Sequence, residues 1–159
     1  MIGKNPSDDL SGIWHKTQFR VPLYEVDLGQ GVYHGNYFHL FEQGREAFLR
    51  DLGYSYRRFM DQRLHLTIVE VSCSYRQPVL YDDVIEVHTG IKWLRTRSLS
   101  FVQAIYRQEE NREPVLCTEA TLNMVCIRFN GQPSTLPMDF VDMLKDWVEQ
   151  GRSTTAGVS

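Results

Sequence analysis

The sequence predicts an α+β domain in which a curved antiparallel sheet wraps around one long central helix. Two observations carry this. Strand-period patterning recurs in several stretches that follow one another with no helix between them, and a single long helical period precedes most of them. Alternating βαβ folds are excluded by that order.

Thr17, Phe19, Val21 and Leu23 alternate with Lys16, Gln18, Arg20 and Pro22, the period of a strand covered on one face. Beyond a Gly-containing turn, Asn36 is a candidate N-cap for a helix whose Tyr37, Leu40, Phe41, Gly44, Phe48 and Leu52 share one face, with Gly53 as its stop. Gly44 inside this helix is unfavourable by roughly 1 kcal/mol against Ala, which points to close approach of a neighbouring backbone. Residues 54–61 fit either a short helix or a loop.

From Leu66 the period becomes two, with Val69, Val71, Cys73 and Tyr75 on one face and Glu70, Ser72, Ser74 and Arg76 on the other, until Pro78 ends the strand. Ile85, Val87, Ile91 and Trp93 alternate against Glu86, His88 and Lys92. After Leu94–Arg97, Leu99, Phe101 and Ile105 alternate against Ser98, Ser100 and Ala104, so the two strands read as a long hairpin. Residues 114–129 are more continuously apolar, as in a strand covered on both faces or carrying a bulge. A turn at Asn130-Gly131 and a helix led by Pro137, with Phe140, Met143, Leu144 and Trp147, close the domain.

The 159 residues, 42% hydrophobic and 23% charged, suffice for one core, and we expect one domain over residues 14–149 with flexible polar segments at 1–13 and 150–159. A net charge of −3 supplies no positive field for nucleic acid or anionic lipid. No stretch approaches the roughly 18 apolar residues of a membrane span, and acids stand near the start where a signal peptide would be apolar, so a cytoplasmic location is expected. Cys73, Cys117 and Cys126 lack CxxC spacing and lie in apolar patterns, which favours buried thiols. His15, His39, His65 and His88 form no ligand constellation, so no metal site is expected.

The chemistry-bearing segment is Tyr24 to Glu46. Asp27 follows the first strand, and Leu28-Gly29-Gln30-Gly31 leads to Val32-Tyr33-His34 at the start of the long helix. A carboxylate thus lies near a helix N-terminus, where unpaired N–H groups and the positive dipole end stabilise an oxyanion. These are two parts that acyl transfer needs. The residues alone leave a second reading of each: Asp27 as a turn cap, Tyr33 and His34 as packing residues, and Glu42 as an ion-pair partner on a solvated helix face.

The run D-x-G-x-G-V-Y-H-G-N-Y from Asp27 to Tyr37, followed by F-E-x-G-R-E, Y-R-Q-P at Tyr75–Pro78, Y-D-D-V at Tyr81–Val84 and R-T-R-S-L-S-F-V-Q at Arg95–Gln103, resembles hot-dog-fold acyl-CoA thioesterases. It is similar to the 4-hydroxybenzoyl-CoA thioesterase family and its Tol-Pal-associated acyl-CoA thioesterase branch. The resemblance implies a hot-dog domain and an acyl-CoA substrate, with no cofactor beyond the CoA that is part of that substrate. It also implies a homo-oligomer, dimer or tetramer, with its active site between subunits.

By the same resemblance, Asp27 acts as nucleophile or general base and the His34 backbone N–H polarises the thioester carbonyl, with Tyr33 and Gly35 flanking it. Glu42 corresponds to an acid that faces the acyl pocket in some members, and Arg95, Arg97 and Ser98 match a segment that contacts the CoA phosphates. The chain departs from the branch at Val26, where many members carry Thr, at Leu28, where they carry a small residue, and at Gln30 in the turn. The hydroxyl that would orient the carboxylate is therefore missing. Other readings are a hot-dog dehydratase or hydratase using His34, and a non-catalytic acyl-CoA-binding module.

Overall fold

The structure, a computed structural model, describes residues 10–156. Five strands form one antiparallel sheet: β1 (His15–Arg20), β2 (Leu64–Tyr75), β3 (Val84–Leu94), β4 (Ser98–Arg107) and β5 (Val115–Arg128), in the order β1-β3-β4-β5-β2. Three helices accompany it: α1 (Tyr37–Leu52), α2 (Tyr56–Asp61) and α3 (Met138–Ala156). The concave face of the sheet receives α1 through Leu40, Phe41, Phe48 and Leu49, all buried against Ile85, Val87, Leu99, Phe101 and Leu122. This is the expected layering, and it follows from the single apolar stripe of α1.

Gly44 occupies the closest point of contact. A Cβ there would come within 2.5 Å of Val87 Cγ1 and 3.2 Å of Gln103 Nε2, so the neighbour is a pair of sheet side chains rather than the backbone expected. Gly53 ends α1 at φ 92°, in the left-handed region, and its N–H donates to Arg50 and Leu49 carbonyls. Beyond it Tyr54, Phe59 and Phe140 pack with ring centroids 4.8–5.2 Å apart and close that end of the core.

Several local expectations change. Leu23 is 66% exposed, because the first strand stops at Arg20 and Leu23–Glu25 forms a 3₁₀ turn after Pro22. Three bulges shift the strand registers. Ile68 and Glu70 pair with consecutive residues, leaving Val69 extra and exposed, while Val71, Cys73 and Tyr75 keep the face opposite Leu122, Ala120 and Thr118. Lys92 is extra in β3, which places Trp93 opposite Ser100, on the other face from Ile91, with the Arg95 guanidinium 4.3 Å over its ring. Cys117 is extra in β5, so the bulged alternative holds there. Helix α3 runs to Ala156, past residue 149, and Gly151 lies against Ile13; residues 1–9 and 157–159 of the expected flexible ends fall outside the described residues.

Gln103 has the parity of Phe101 and Ile105 and is fully buried with them. Its amide is satisfied: Nε2 donates to the Phe41 carbonyl and Thr89 Oγ1, each at 2.9 Å, and Oε1 accepts from the Arg45 guanidinium at 3.0 Å. Arg45 is lowered from its ordinary range by burial, with Glu42 and Glu46 acting in the opposite direction.

All three cysteines are free thiols, two of them buried. Burial raises Cys73, Cys117 and Cys126 above 9 and Tyr37, Tyr54 and Tyr56 above 10. Each group is neutral in the native state and ionises more readily once unfolded. The unfolded chain therefore holds fewer protons at alkaline pH, and the stability these groups contribute is present below about pH 8.5 and lost as pH rises through their native values. The urea midpoint should accordingly hold up to about pH 8.5 and fall from there to about pH 11. Gly44→Ala should destabilise the fold by about 1–2 kcal/mol net of the helix propensity it gains, read as a lowered melting temperature in calorimetry.

Candidate active site

Residues 21–36 form a compact loop ahead of α1. Val21 N–H is held by the Asp83 carbonyl, and Val26 and Val32 pair as a bridge, so the chain leaves the sheet and returns along itself. Asp27 sits at the tip: its N–H donates to Gly31 O and its carbonyl accepts from Gln30 N–H, both at 3.0 Å. The carboxylate accepts the Gly29 N–H on Oδ1 at 2.8 Å, while Asp27 itself is exposed. Gln30 closes the turn at φ 68°, a left-handed conformation in which the sequence places no glycine. Asp27 is thus a turn former, as one sequence reading has it, and its carboxylate is accessible.

Tyr33, His34 and Gly35 lead into α1 through the 3₁₀ turn His34–Asn36. Asn36 is not a side-chain cap: its backbone is helical (φ −77°, ψ −15°), and its Nδ2 instead donates to the Glu25 carbonyl at 3.0 Å. The same carbonyl accepts the Tyr33 N–H at 3.2 Å. The Glu25 side chain is buried, with Oε2 3.1 Å from His39 Nδ1 on the first turn of α1. Asn36 N–H bonds the Tyr33 carbonyl at 2.8 Å, whereas the N–H groups of His34 and Gly35 find no acceptor among the described residues. These are the orphan donors of a helix start.

Sequence reasoning missed two residues that hold this turn. Glu25, to which the sequence pattern gives no role, anchors the loop from within. Tyr75, placed by the sequence on the apolar face of a strand and at the head of the Y-R-Q-P run but given no role, donates its hydroxyl to the His34 carbonyl at 2.9 Å. Its ring meets those of His34 and Tyr37 edge-on at 5.1 Å. Although Tyr75 is 42% exposed, partial desolvation, with the Cys73 thiol and Tyr37 beside it, pushes it up to about 12. The only signal in the sequence is its place immediately before the Arg-Gln-Pro strand stop.

The remaining predicted residues lie elsewhere in the single chain. Glu42 is eight residues along the helix from His34, about 12 Å by the helical rise. It rims a cavity of about 390 Å³ whose inner wall includes Leu49, Leu66, Phe101 and Met124, with Arg45 and Tyr56 also lining it. Arg95, Arg97 and Ser98 form the β3–β4 turn, where Arg95 N–H donates to Ser98 O at 2.8 Å. The length of β3, roughly 30 Å, separates that turn from the Asp27 loop. One chain therefore assembles Asp27, Tyr33, His34 and Gly35 in one loop, but neither Glu42 nor the Arg-Ser turn joins them. Among the described residues no cluster of three or more His, Cys, Asp or Glu could hold a metal ion.

Edge strand β2 presents Ile68, Val69, Val71 and Tyr75 to solvent, and the loop tip adds Tyr24, Leu28 and Tyr33. Leu28 is fully exposed, at 105% of its reference area. No helix among the described residues is long and apolar enough to cross a membrane.

Known proteins are similar to this chain in sequence and in fold. The acyl-CoA thioester hydrolase YbgC of Escherichia coli is 33% identical over 134 residues, covering 81% of this chain and 97% of that protein. The crystal structure of a hypothetical protein from Aquifex aeolicus superposes with a TM-score of 0.74 at 28% identity, over 82% of this chain and 98% of the other. The 4-hydroxybenzoyl-CoA thioesterase of a Pseudomonas species shares the fold, with a TM-score of 0.74 at 20% identity over 83% and 99% of the two chains. The sequence profile of the Thioesterase-like superfamily matches residues 21–148, nearly the whole described domain. The curved sheet around α1 is therefore a hot-dog fold, and this chain belongs to the Thioesterase-like superfamily.

Proposed function

We propose that the protein hydrolyses acyl-CoA thioesters, with Asp27 as nucleophile or general base and the helix-start N–H groups of His34 and Gly35 as the oxyanion site. The observation that carries this is an accessible carboxylate on the same loop as two unpaired helix-start donors. A thioester hydrolase relative covering 81% of the chain and the family match over residues 21–148 support it.

In the reaction an oxygen, from water activated by Asp27 or from Asp27 itself, bonds to the thioester carbon while the carbonyl π pair moves onto oxygen. Collapse breaks the C–S bond. A thiol with a pKa near 8.5 departs as thiolate without a strong general acid, so one carboxylate and one oxyanion site suffice. If Asp27 attacks directly, water then hydrolyses the mixed anhydride and regenerates the carboxylate.

We propose a homodimer, which can pair again into a tetramer, in which Glu42 faces the acyl group and Arg95, Arg97 and Ser98 contact the CoA phosphates. The apolar edge of β2 and the exposed Leu28 supply the surface such an assembly would cover.

One observation favours a second reading, a module that binds acyl-CoA without cleaving it: Asp27 Oδ1 is already engaged by the Gly29 N–H. Thiol release measured over short, medium, long and aromatic acyl-CoAs separates the two. Asp27→Asn retains an acceptor for Gly29 and should keep the fold while lowering kcat by about 10²- to 10⁴-fold. Tight binding by the native protein with no thiol released selects the module. Sedimentation should give at least twice the 18.6 kDa chain mass; a monomer at assay concentration overturns the shared-site arrangement.

A further inference from the structure

We propose that Tyr75 is a positioning residue for the oxyanion site, aiming and polarising the Gly35 N–H through the His34 carbonyl. This rests on the thioesterase reading and assigns a role to a residue outside the Asp27 loop.

The argument is one of peptide geometry. The His34 carbonyl and the Gly35 N–H belong to one peptide unit, planar and trans, so they point in opposite directions. Tyr75 Oη donates to that carbonyl at 2.9 Å from one side, which sends the Gly35 N–H out on the other, where no described residue accepts it. Gly35 carries no side chain to block its approach. A hydrogen bond received at a carbonyl also withdraws density from the N–H of the same unit and strengthens it as a donor.

The second donor is backed in the same way: His34 N–H shares a peptide with the Tyr33 carbonyl, which accepts Asn36 N–H at 2.8 Å. One donor is thus oriented by the helix turn itself and the other by a side chain from the sheet edge. Tyr75 can do this because its ring is fixed edge-on between His34 and Tyr37. Its hydroxyl also keeps its proton: with a value of about 12 it remains a donor across the range in which a thioesterase works.

When the thioester carbonyl is attacked and its π pair moves onto oxygen, the Gly35 N–H meets a charge absent from the bound substrate. Loss of the Tyr75 hydroxyl should therefore act on kcat and leave KM nearly unchanged. Removing an oxyanion donor outright lowers kcat by 10²- to 10³-fold in other enzymes, so weakening one should lower it by about 10- to 100-fold.

The test pairs Tyr75→Phe with Tyr54→Phe, using the acyl-CoA that the native protein turns over fastest. The buried Tyr54 Oη donates to Asp139 Oδ1 at 3.2 Å and accepts from Gln62 Nε2 at 2.7 Å at the far end of α1, so its loss should lower the melting temperature and spare kcat. Tyr75→Phe, with its ring retained on an edge strand, should lower kcat with KM and melting temperature close to native. Native kcat in Tyr75→Phe, a change confined to KM, or a melting temperature as depressed as that of Tyr54→Phe overturns the proposal. No turnover by the native protein on any acyl-CoA is a different failure, because it removes the thioesterase reading itself and this inference with it.

Discussion

The packing of α1 on the sheet at Gly44 sets the depth from which everything else is measured. With a Cβ position only 2.5 Å from Val87 Cγ1, the helix rides as close to β3 as a backbone without a side chain permits. That closeness brings the Phe41 carbonyl and the Arg45 guanidinium within reach of Gln103, whose amide joins helix to sheet in a place otherwise filled by Phe41, Phe48 and Phe101. An amide with all its partners in place fixes rotation as well as depth, which apolar contacts alone do less sharply. The start of α1 inherits this placement, and so do the N–H groups of His34 and Gly35.

The loop before the helix is held from three directions. Glu25 anchors it from within, through two bonds to its carbonyl and a carboxylate beside His39. Val79 supports it from below by accepting the Val32 N–H and donating to Tyr37 Oη. Tyr75 closes it from the sheet edge. Asp27 alone projects free of this framework, tied only within its own turn. A rigid donor site beside a carboxylate on a loop tip suits a reaction in which the charge-stabilising groups must not move.

Much of this was legible in the sequence because it rests on period and spacing. The apolar stripe of α1, its Gly53 stop, the β3–β4 hairpin and the sheet around a central helix all follow from local patterns, and the Asp27-to-His34 segment is contiguous. What was illegible depends on partners remote in sequence. Gln103 shares the inward parity of Phe101 and Ile105, but nothing local names the groups that satisfy its amide, Arg45 and Phe41, 58 and 62 residues away. Glu25 and Tyr75 are ordinary strand and turn residues until the loop folds over them. Bulges defeat alternation for another reason: one extra residue changes the parity of all that follow, which misplaced Trp93 and Val69.

Those bulges also govern how the chain can change in length. Val69, Lys92 and Cys117 each stand without an opposite number in the neighbouring strand. Deleting a residue elsewhere in these strands would turn every side chain beyond it to the wrong face, whereas removing a bulged residue restores plain pairing and leaves both faces as they were. The sheet thus contains three positions at which a lineage can lose a codon while the strands stay in register, at the expense of local twist and, at Cys117, of one buried side chain.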